Sequence, residues 1–312
     1  MAEERTNAIL RTLDNMPPLL PTAAKVFEIA NDPHSSITDM DAVISIDTML
    51  SAKVLKLVNS AYYGLRDKIS TTQRAIVHLG MNTIKNLVIT VAVMKSLTDT
   101  LRGSDIDLSE FWKHSLACSV AARLLAQKSS VGVHAVDDIA LAGLLHDIGK
   151  LALVSYSSVE YQKVISLALE KNVSFFAAER QVITGDHKII ITVQDGVATP
   201  VTQDVQIDHC YIGKKLAAKW NLPSVLSDPI EWHHLPWRCM TENAKAAQII
   251  HVADAYCKMK GMGFAGDVHV APIQKPTWEI LGFGEGELEK MESDWLKGIE
   301  DSQAFLEMDS PD

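Results

Sequence analysis

Along nearly every segment of this chain, apolar residues recur three or four positions apart, the spacing that lines one face of an α-helix. That rhythm predicts an all-α fold. Pro17, Pro18 and Pro21 punctuate the entry, and a helix is expected from about Thr22 to Asn31. Ser36 with Asp39 forms a capping-box pattern for a short helix ending near Ile46. Met49 to Asn59 carries Leu50, Val54, Leu57 and Val58 on one face, and Ala61-Tyr62-Tyr63-Gly64 reads as a turn. A helix over Thr72 to Leu79 should stop at Gly80 in left-handed backbone. Asn82 to Leu97 should follow as a largely buried helix. The short polar stretch from Leu101 to Asp107 marks a boundary between an N-terminal helical bundle (1–105) and a second helical domain (106–262). A C-terminal loop and acidic helix (263–312) should complete the chain.

The second half is expected to open on a long helix, Leu108 to Gln127, followed by one ending at Leu145-His146-Asp147. Helices at about Ser158 to Glu170 and Ser174 to Thr184 come next. There the rhythm breaks. Lys188 to Gln194 is β-branched, Asp195-Gly196 is a hairpin-turn signal, and Pro200 confines Val197 to Val205 to a sheet edge. These residues predict one small β-hairpin, about 188–205, inserted into the helical domain. Helical spacing resumes from Asp208 through Trp220, then at Val225 to His233, Thr241 to Lys260 and Gly284 to Phe305.

Composition narrows the function classes. With 47% hydrophobic and 22% charged residues, wholesale disorder is excluded. The apolar run Leu87 to Met94 contains Thr90 and ends at Lys95, far short of the roughly 20 residues a bilayer requires, so no membrane span is expected. Met-Ala-Glu-Glu-Arg has neither the basic start nor the apolar core of a signal peptide, which predicts a cytoplasmic protein. The net charge is −10, and the stretch after Gly282 carries ten acids against Lys290 and Lys297. No basic stripe is left for a phosphate backbone, so nucleic acid is not an expected partner. Cys118, Cys210, Cys239 and Cys257 form no Cys-x-x-Cys pair and read as reduced, buried small hydrophobes.

Several histidines stand beside carboxylates. His146-Asp147 closes an apolar helix, Glu110 and His114 share a helix face four residues apart, His233 and His234 are adjacent, and Asp254 follows His251 by nearly one turn. Imidazole with carboxylate is a ligand set for Zn, Fe, Mn or Ni. The isolated His34, His78, His134 and His269 read as surface or capping residues, and His251 alone reads as a packed or supporting group.

The run Leu144-Leu145-His146-Asp147-Ile148-Gly149-Lys150 resembles the signature of the HD superfamily of metal-dependent phosphohydrolases. The first half narrows the resemblance. Asn31-Asp32-Pro33 with Ser36, the run from Ala52 to Asn59-Ser60-Ala61-Tyr62-Tyr63-Gly64, and Ala75-Ile76 through Leu79-Gly80 are similar to the HDOD family. Phe111-Trp112-Lys113-His114-Ser115, Trp220-Asn221-Leu222-Pro223 and His233-His234-Leu235-Pro236 agree, so the likeness runs from about Leu13 to Lys260.

That resemblance implies a signalling or regulatory module related to the HD-GYP cyclic-di-GMP phosphodiesterases, with an N-terminal bundle packed on an HD-like one. It implies metal ligands at Glu110, His114, His146, Asp147, His209, His233, His234 and Asp254, with Asp147 placed to bridge two ions. Lys150 falls where the related enzymes keep a lysine near substrate phosphate, so Lys150 and Asp147 are the catalytic candidates. His187 competes with His209 for one place; Gly213, four residues after His209 in a long helix, favours His209. One or two transition-metal ions are expected, with Fe or Mn favoured and Zn or Ni the alternatives. After His234 the chain reads Leu-Pro-Trp-Arg-Cys and lacks the Gly-Tyr-Pro segment, so cyclic-di-GMP hydrolysis is not expected. The partner implied is a protein or a small phosphorylated ligand. A phosphohydrolase acting on a nucleotide or other phosphoester is the alternative, and a closed, structural metal is a third. A regulatory site could be blocked by Tyr62, Tyr63 or the hairpin.

Overall fold

Side chains that satisfy the first, unpaired N–H groups set the starts of several helices. The structure, a computed structural model, describes residues 2–104, 106–184, 190–194, 197–203, 207–264, 266–270 and 272–307. Ser36 and Asp39 form both bonds of the capping box and start the helix Ile37–Ile46. Asp47 caps Thr48–Val58, whose buried residues are Leu50, Val54, Leu57 and Val58. Thr71 caps Thr72–Leu79, Asp107 caps Leu108–Lys128, Ser157 caps Ser158–Lys171 and Asp208 caps His209–Lys219. Gly80 departs from the expected left-handed stop. At φ +84° and ψ 158° it lies in mirror-extended backbone, and it joins Thr72–Leu79 directly to Met81–Thr100.

Met81–Thr100 is buried along most of its length. It packs on Pro21–Asn31 and Thr48–Val58 to one side and on Val133–Leu145 to the other. In the second half Leu108–Lys128 is central, meeting Val133–Leu145, Ala244–Met259 and Gly286–Asp301. Trp295 of the last of these is fully buried, and its indole N–H donates to the Ala117 carbonyl at 3.0 Å. His209–Lys219 lies between Ile148–Tyr156 and Ser224–Trp232.

Four helical segments were not separated by periodicity. Ala2–Asn15 packs on Ile148–Tyr156, so a segment that reads as polar holds Ile9 and Leu13 against the second half. Ile148–Tyr156 is a helix of its own, and Lys275–Leu281 precedes the acidic helix. The stretch expected as one helix to Phe305 divides into Gly286–Asp301 and Gln303–Leu306. Ala135–Tyr156 has the length and apolarity of a membrane span, yet 89% of its most apolar 18-residue window is buried in the fold. In the hairpin region, Ile190–Gln194 and Val197–Gln203 run antiparallel. The expected turn at 195–196, the flanking residues and His187 lie outside the described residues. The rest of the described architecture is helical.

Candidate metal centre

Five helical segments deliver imidazole and carboxylate groups to one point. Leu108–Lys128 carries His114 and, one turn on, Cys118. His146 and Asp147 sit at the bend between Val133–Leu145 and Ile148–Tyr156, where Asp147 makes no side-chain cap and its carboxylate is left to face inward. His209 opens His209–Lys219, His233 and His234 follow the end of Ser224–Trp232, and Asp254 lies within Ala244–Met259. Two glycines allow the approach. A Cβ on Gly149 would stand 1.9 Å from the His209 carbonyl oxygen, and one on Gly213 would stand 2.7 Å from Ile230.

Four of the candidate ligand histidines share one orientation. Nδ1 of His146 lies 2.8 Å from the Gly143 carbonyl, Nδ1 of His233 lies 2.9 Å from Ile230 O, and Nδ1 of His114 lies 3.3 Å from Met262 O. Nδ1 of His209 is 2.6 Å from Glu179 Oε1. Carbonyl oxygens only accept, so each Nδ1 next to one carries a proton, and each Nε2 faces inward, where it offers a lone pair whenever the ring is neutral. His114 Nε2 is 3.1 Å from Asp254 Oδ1, and His146 Nε2 is 3.7 Å from the same oxygen. Asp147 stands between the rings, with Oδ2 3.3 Å from His146 Nε2 and Oδ1 3.2 and 3.7 Å from Nε2 of His209 and His233.

These contacts resolve into two adjoining groups. His114, Cys118, His146 and Asp254 keep their ligating atoms within 4.8 Å of one another, as do His209, Cys210, His233 and His234. His146, Asp147 and His233 link the two. Three donor atoms buried here, His146 Nε2, Asp147 Oδ1 and His234 Nε2, have no hydrogen-bond partner. The Nε2 atoms of His209 and His233 face each other at 3.3 Å, an arrangement of two lone pairs that repels unless a proton or cation lies between them. A transition-metal ion fits this donor set.

The surrounding charges act on the same atoms. Burial pushes His209 down to about 3, against the pull of Asp147, and also lowers His233 and His234. Neutral imidazole is the form that binds a metal. Burial would lower His146 too, but the negative charge of Asp147 beside it holds it well above its ordinary value. Burial would raise the carboxyls of Asp147 and Asp254. Cationic neighbours win, with His146 and Lys150 lowering Asp147 and Lys258 lowering Asp254.

Glu110 does not join the centre. Its carboxylate is 40% exposed, pairs with Lys113 at 3.3 Å and belongs to neither group. Helical spacing cannot choose between the residues four before and four after His114, and the inward one is Cys118. Lys150 is present but turned inward: fully buried, it lies 2.7 Å from Asp147 Oδ2 and 4.8 Å from the Phe175 ring centre. Tyr62 and Tyr63 are elsewhere, at the junction with Thr83, Arg123 and Asp137, where a cleft of about 620 Å³ adjoins Tyr63. His251 supports the site, its Nδ1 2.7 Å from the His233 carbonyl.

Three contributors escape a sequence reading. Glu179 accepts from both the backbone N–H and Nδ1 of His209, at 3.0 and 2.6 Å, and so fixes that ring. Its only signal is a charged residue in the apolar run Phe175-Phe176-Ala177-Ala178. Cys118 and Cys210 place their sulfurs 3.5 Å from His114 Nε2 and 3.6 Å from His209 Nε2. The i, i+4 spacing of His114 and Cys118 was the available clue.

Comparison with known proteins agrees with this architecture. The HDOD domain family profile matches residues 16–191. An uncharacterized protein of Treponema pallidum (strain Nichols) is 25% identical over 227 residues, 73% of this chain; the match spans about two fifths (39%) of that relative's length. Among solved structures, an HDOD domain protein of unknown function from Geobacter sulfurreducens superposes with a TM-score of 0.73 at 22% identity, covering 98% of this chain and 99% of its own. A candidate phosphohydrolase from Shewanella amazonensis SB2B gives 0.65 at 22% identity, with 96% and 98% covered. A candidate signal transduction protein from Marinobacter aquaeolei VT8 gives 0.73 at 16% identity, with 98% of this chain and 66% of its own covered. At these identities the likeness is one of fold.

Proposed function

The chain belongs to the HDOD family, and on that footing we propose that it is a cytoplasmic regulatory protein whose second half holds one or two transition-metal ions. His114, His146 and Asp254 would hold one ion, and His209, His233 and His234 the other, with Asp147 between them. The observation that carries the metal reading is the ring orientation shared by His114, His146, His209 and His233: each Nδ1 engages a fixed acceptor, and each Nε2 faces a carboxylate or another Nε2. An ion with an open coordination position would polarise a bound water or a phosphoryl oxygen.

Regulation is favoured over hydrolysis by where the cationic groups point. A hydrolase needs donors that reach substrate phosphate, and Lys150 is fully buried against Asp147 and Phe175. Lys258 is likewise committed, to Asp254 at 3.1 Å and Asp267 at 3.4 Å. After His234 the chain reads Leu-Pro-Trp-Arg-Cys and forms the short turn Pro236–Arg238, and cyclic-di-GMP hydrolysis is not part of this proposal. The signal would pass to a protein partner or a small phosphorylated ligand. The cleft beside Tyr63, lined by His78, Asn82, Thr83 and Arg123, is suited to such contact.

A phosphohydrolase is the second reading, supported by the near-complete ligand set and by His234, a half-buried member of that set. A screen of metal-loaded protein against nucleotides and phosphodiesters separates the two. Regulation predicts turnover no faster than with metal-stripped protein. Metal-dependent turnover abolished by His146→Ala would instead establish the hydrolase.

A further inference from the structure

We propose that Cys118 is a metal ligand, taking on the Leu108–Lys128 helix the place that the family resemblance assigns to Glu110. This rests on the metal reading above and goes beyond it by giving one of the two positions a sulfur donor.

Three observations support it. Glu110, four residues before His114, turns outward to Lys113, whereas Cys118, four residues after, is fully buried and faces inward. The spacing also fits. With Zn–S of about 2.3 Å and Zn–N of about 2.0–2.1 Å, a tetrahedral ion separates its sulfur and nitrogen donors by roughly 3.6 Å. The Cys118 Sγ to His114 Nε2 distance is 3.5 Å. The same geometry separates nitrogen from oxygen by roughly 3.3 Å, against 3.1 Å for His114 to Asp254 and 3.7 Å for His146 to Asp254. Finally, this group is one donor short without the sulfur. The nearer Asp147 oxygen, Oδ2, is held by Lys150 at 2.7 Å, and His146 Nε2 is fully buried with no hydrogen-bond partner.

Cys210 does not have the same claim. Its group already contains three imidazoles, and Asp147 Oδ1 lies 3.2 Å from His209 Nε2 as a fourth donor. The two positions therefore differ in kind. The His114–Cys118–His146–Asp254 position has four protein ligands and a soft donor, which favours zinc or iron over manganese. The His209–His233–His234 position has only nitrogen and oxygen donors and suits a harder ion.

Cobalt(II) distinguishes the outcomes, because thiolate bound to it adds a near-ultraviolet charge-transfer band that imidazole and carboxylate do not. The cobalt-loaded wild type should show that band. Cys118→Ser should lose it and bind one fewer ion per chain, while Cys239→Ser and Cys210→Ser should keep it. Cobalt bound without the band, or a band that survives Cys118→Ser, overturns the assignment and leaves the metal reading standing. Failure of the wild type to bind cobalt, zinc, iron or manganese overturns both. If Cys118→Ser does not fold, X-ray absorption of the zinc-loaded wild type decides: one sulfur at about 2.3 Å supports the ligand, and a nitrogen and oxygen shell alone refutes it.

Discussion

Gly149→Ala tests how closely the centre depends on two helices touching. The added Cβ would lie 1.9 Å from the His209 carbonyl oxygen and 2.7 Å from the Gly213 nitrogen. Carbon and oxygen rest at about 3.3 Å or more, so the start of His209–Lys219 must retreat by over 1 Å. Both obstacles are backbone atoms, and no rotamer change relieves them. The cost should reach the upper end of overpacking, about 3 kcal/mol, or roughly 6 °C in melting temperature for a chain of this size. Metal ligands tolerate displacements of only about 0.2 Å, so the retreat also carries His209 out of bonding range. Thermal unfolding followed by circular dichroism, with metal content measured on the same sample, reads both effects. Gly213→Ala is the built-in comparison. Its nearest obstacle is the Ile230 side chain at 2.7 Å, which can turn aside, and a loss of about 1 kcal/mol is expected. A Gly149→Ala protein with wild-type melting and full metal content would refute the reasoning.

Other perturbations address the neighbours of the ligands. Glu179→Gln removes one of the two acceptors that fix His209 and should weaken metal binding 10- to 100-fold; a chelator competition giving the wild-type affinity would contradict this. Lys150→Met leaves Asp147 without its 2.7 Å partner and should destabilise the metal-free protein by about 3 kcal/mol. Added metal should recover much of that loss, and equal losses with and without metal would count against the charge argument. Imidazoles must be neutral to bind, so metal affinity should rise with pH and binding should release protons. Burial already keeps His209, His233 and His234 neutral, so the release should come from His146, which is held well above its ordinary value. Calorimetry in buffers of different ionisation enthalpy measures it, and a proton count of zero at pH 6 would be inconsistent with ligation by His146.

Local physics made much of this legible in advance. Ser36 and Asp39 announce their helix because a capping box is a short-range device, and Leu50, Val54, Leu57 and Val58 reveal a buried face because the helical period is fixed. The HDOD likeness, carried by residues such as His146-Asp147 and Asn59 to Gly64, supplied the set of candidate ligands that spacing alone left open. What failed depended on distance in sequence. Glu179 acquires its role only when His209, thirty residues later, arrives beside it. Glu110 and Cys118 flank His114 symmetrically, and only packing against Ala244–Met259 determines which side faces Asp254. Lys150, expected near a substrate phosphate, is instead fully buried against Asp147. Ala2–Asn15 conceals its apolar contacts among polar residues and declares itself only by docking on Ile148–Tyr156.

The convergence of imidazole Nε2 atoms on a cation is tested most directly by counting metal in protein purified without chelators and then saturated with zinc, iron or manganese. Elemental mass spectrometry should find one or two ions per chain, accompanied by a higher melting temperature. Protein that stays metal-free at neutral pH, and melts at the same temperature whether or not metal is supplied, would contradict the account.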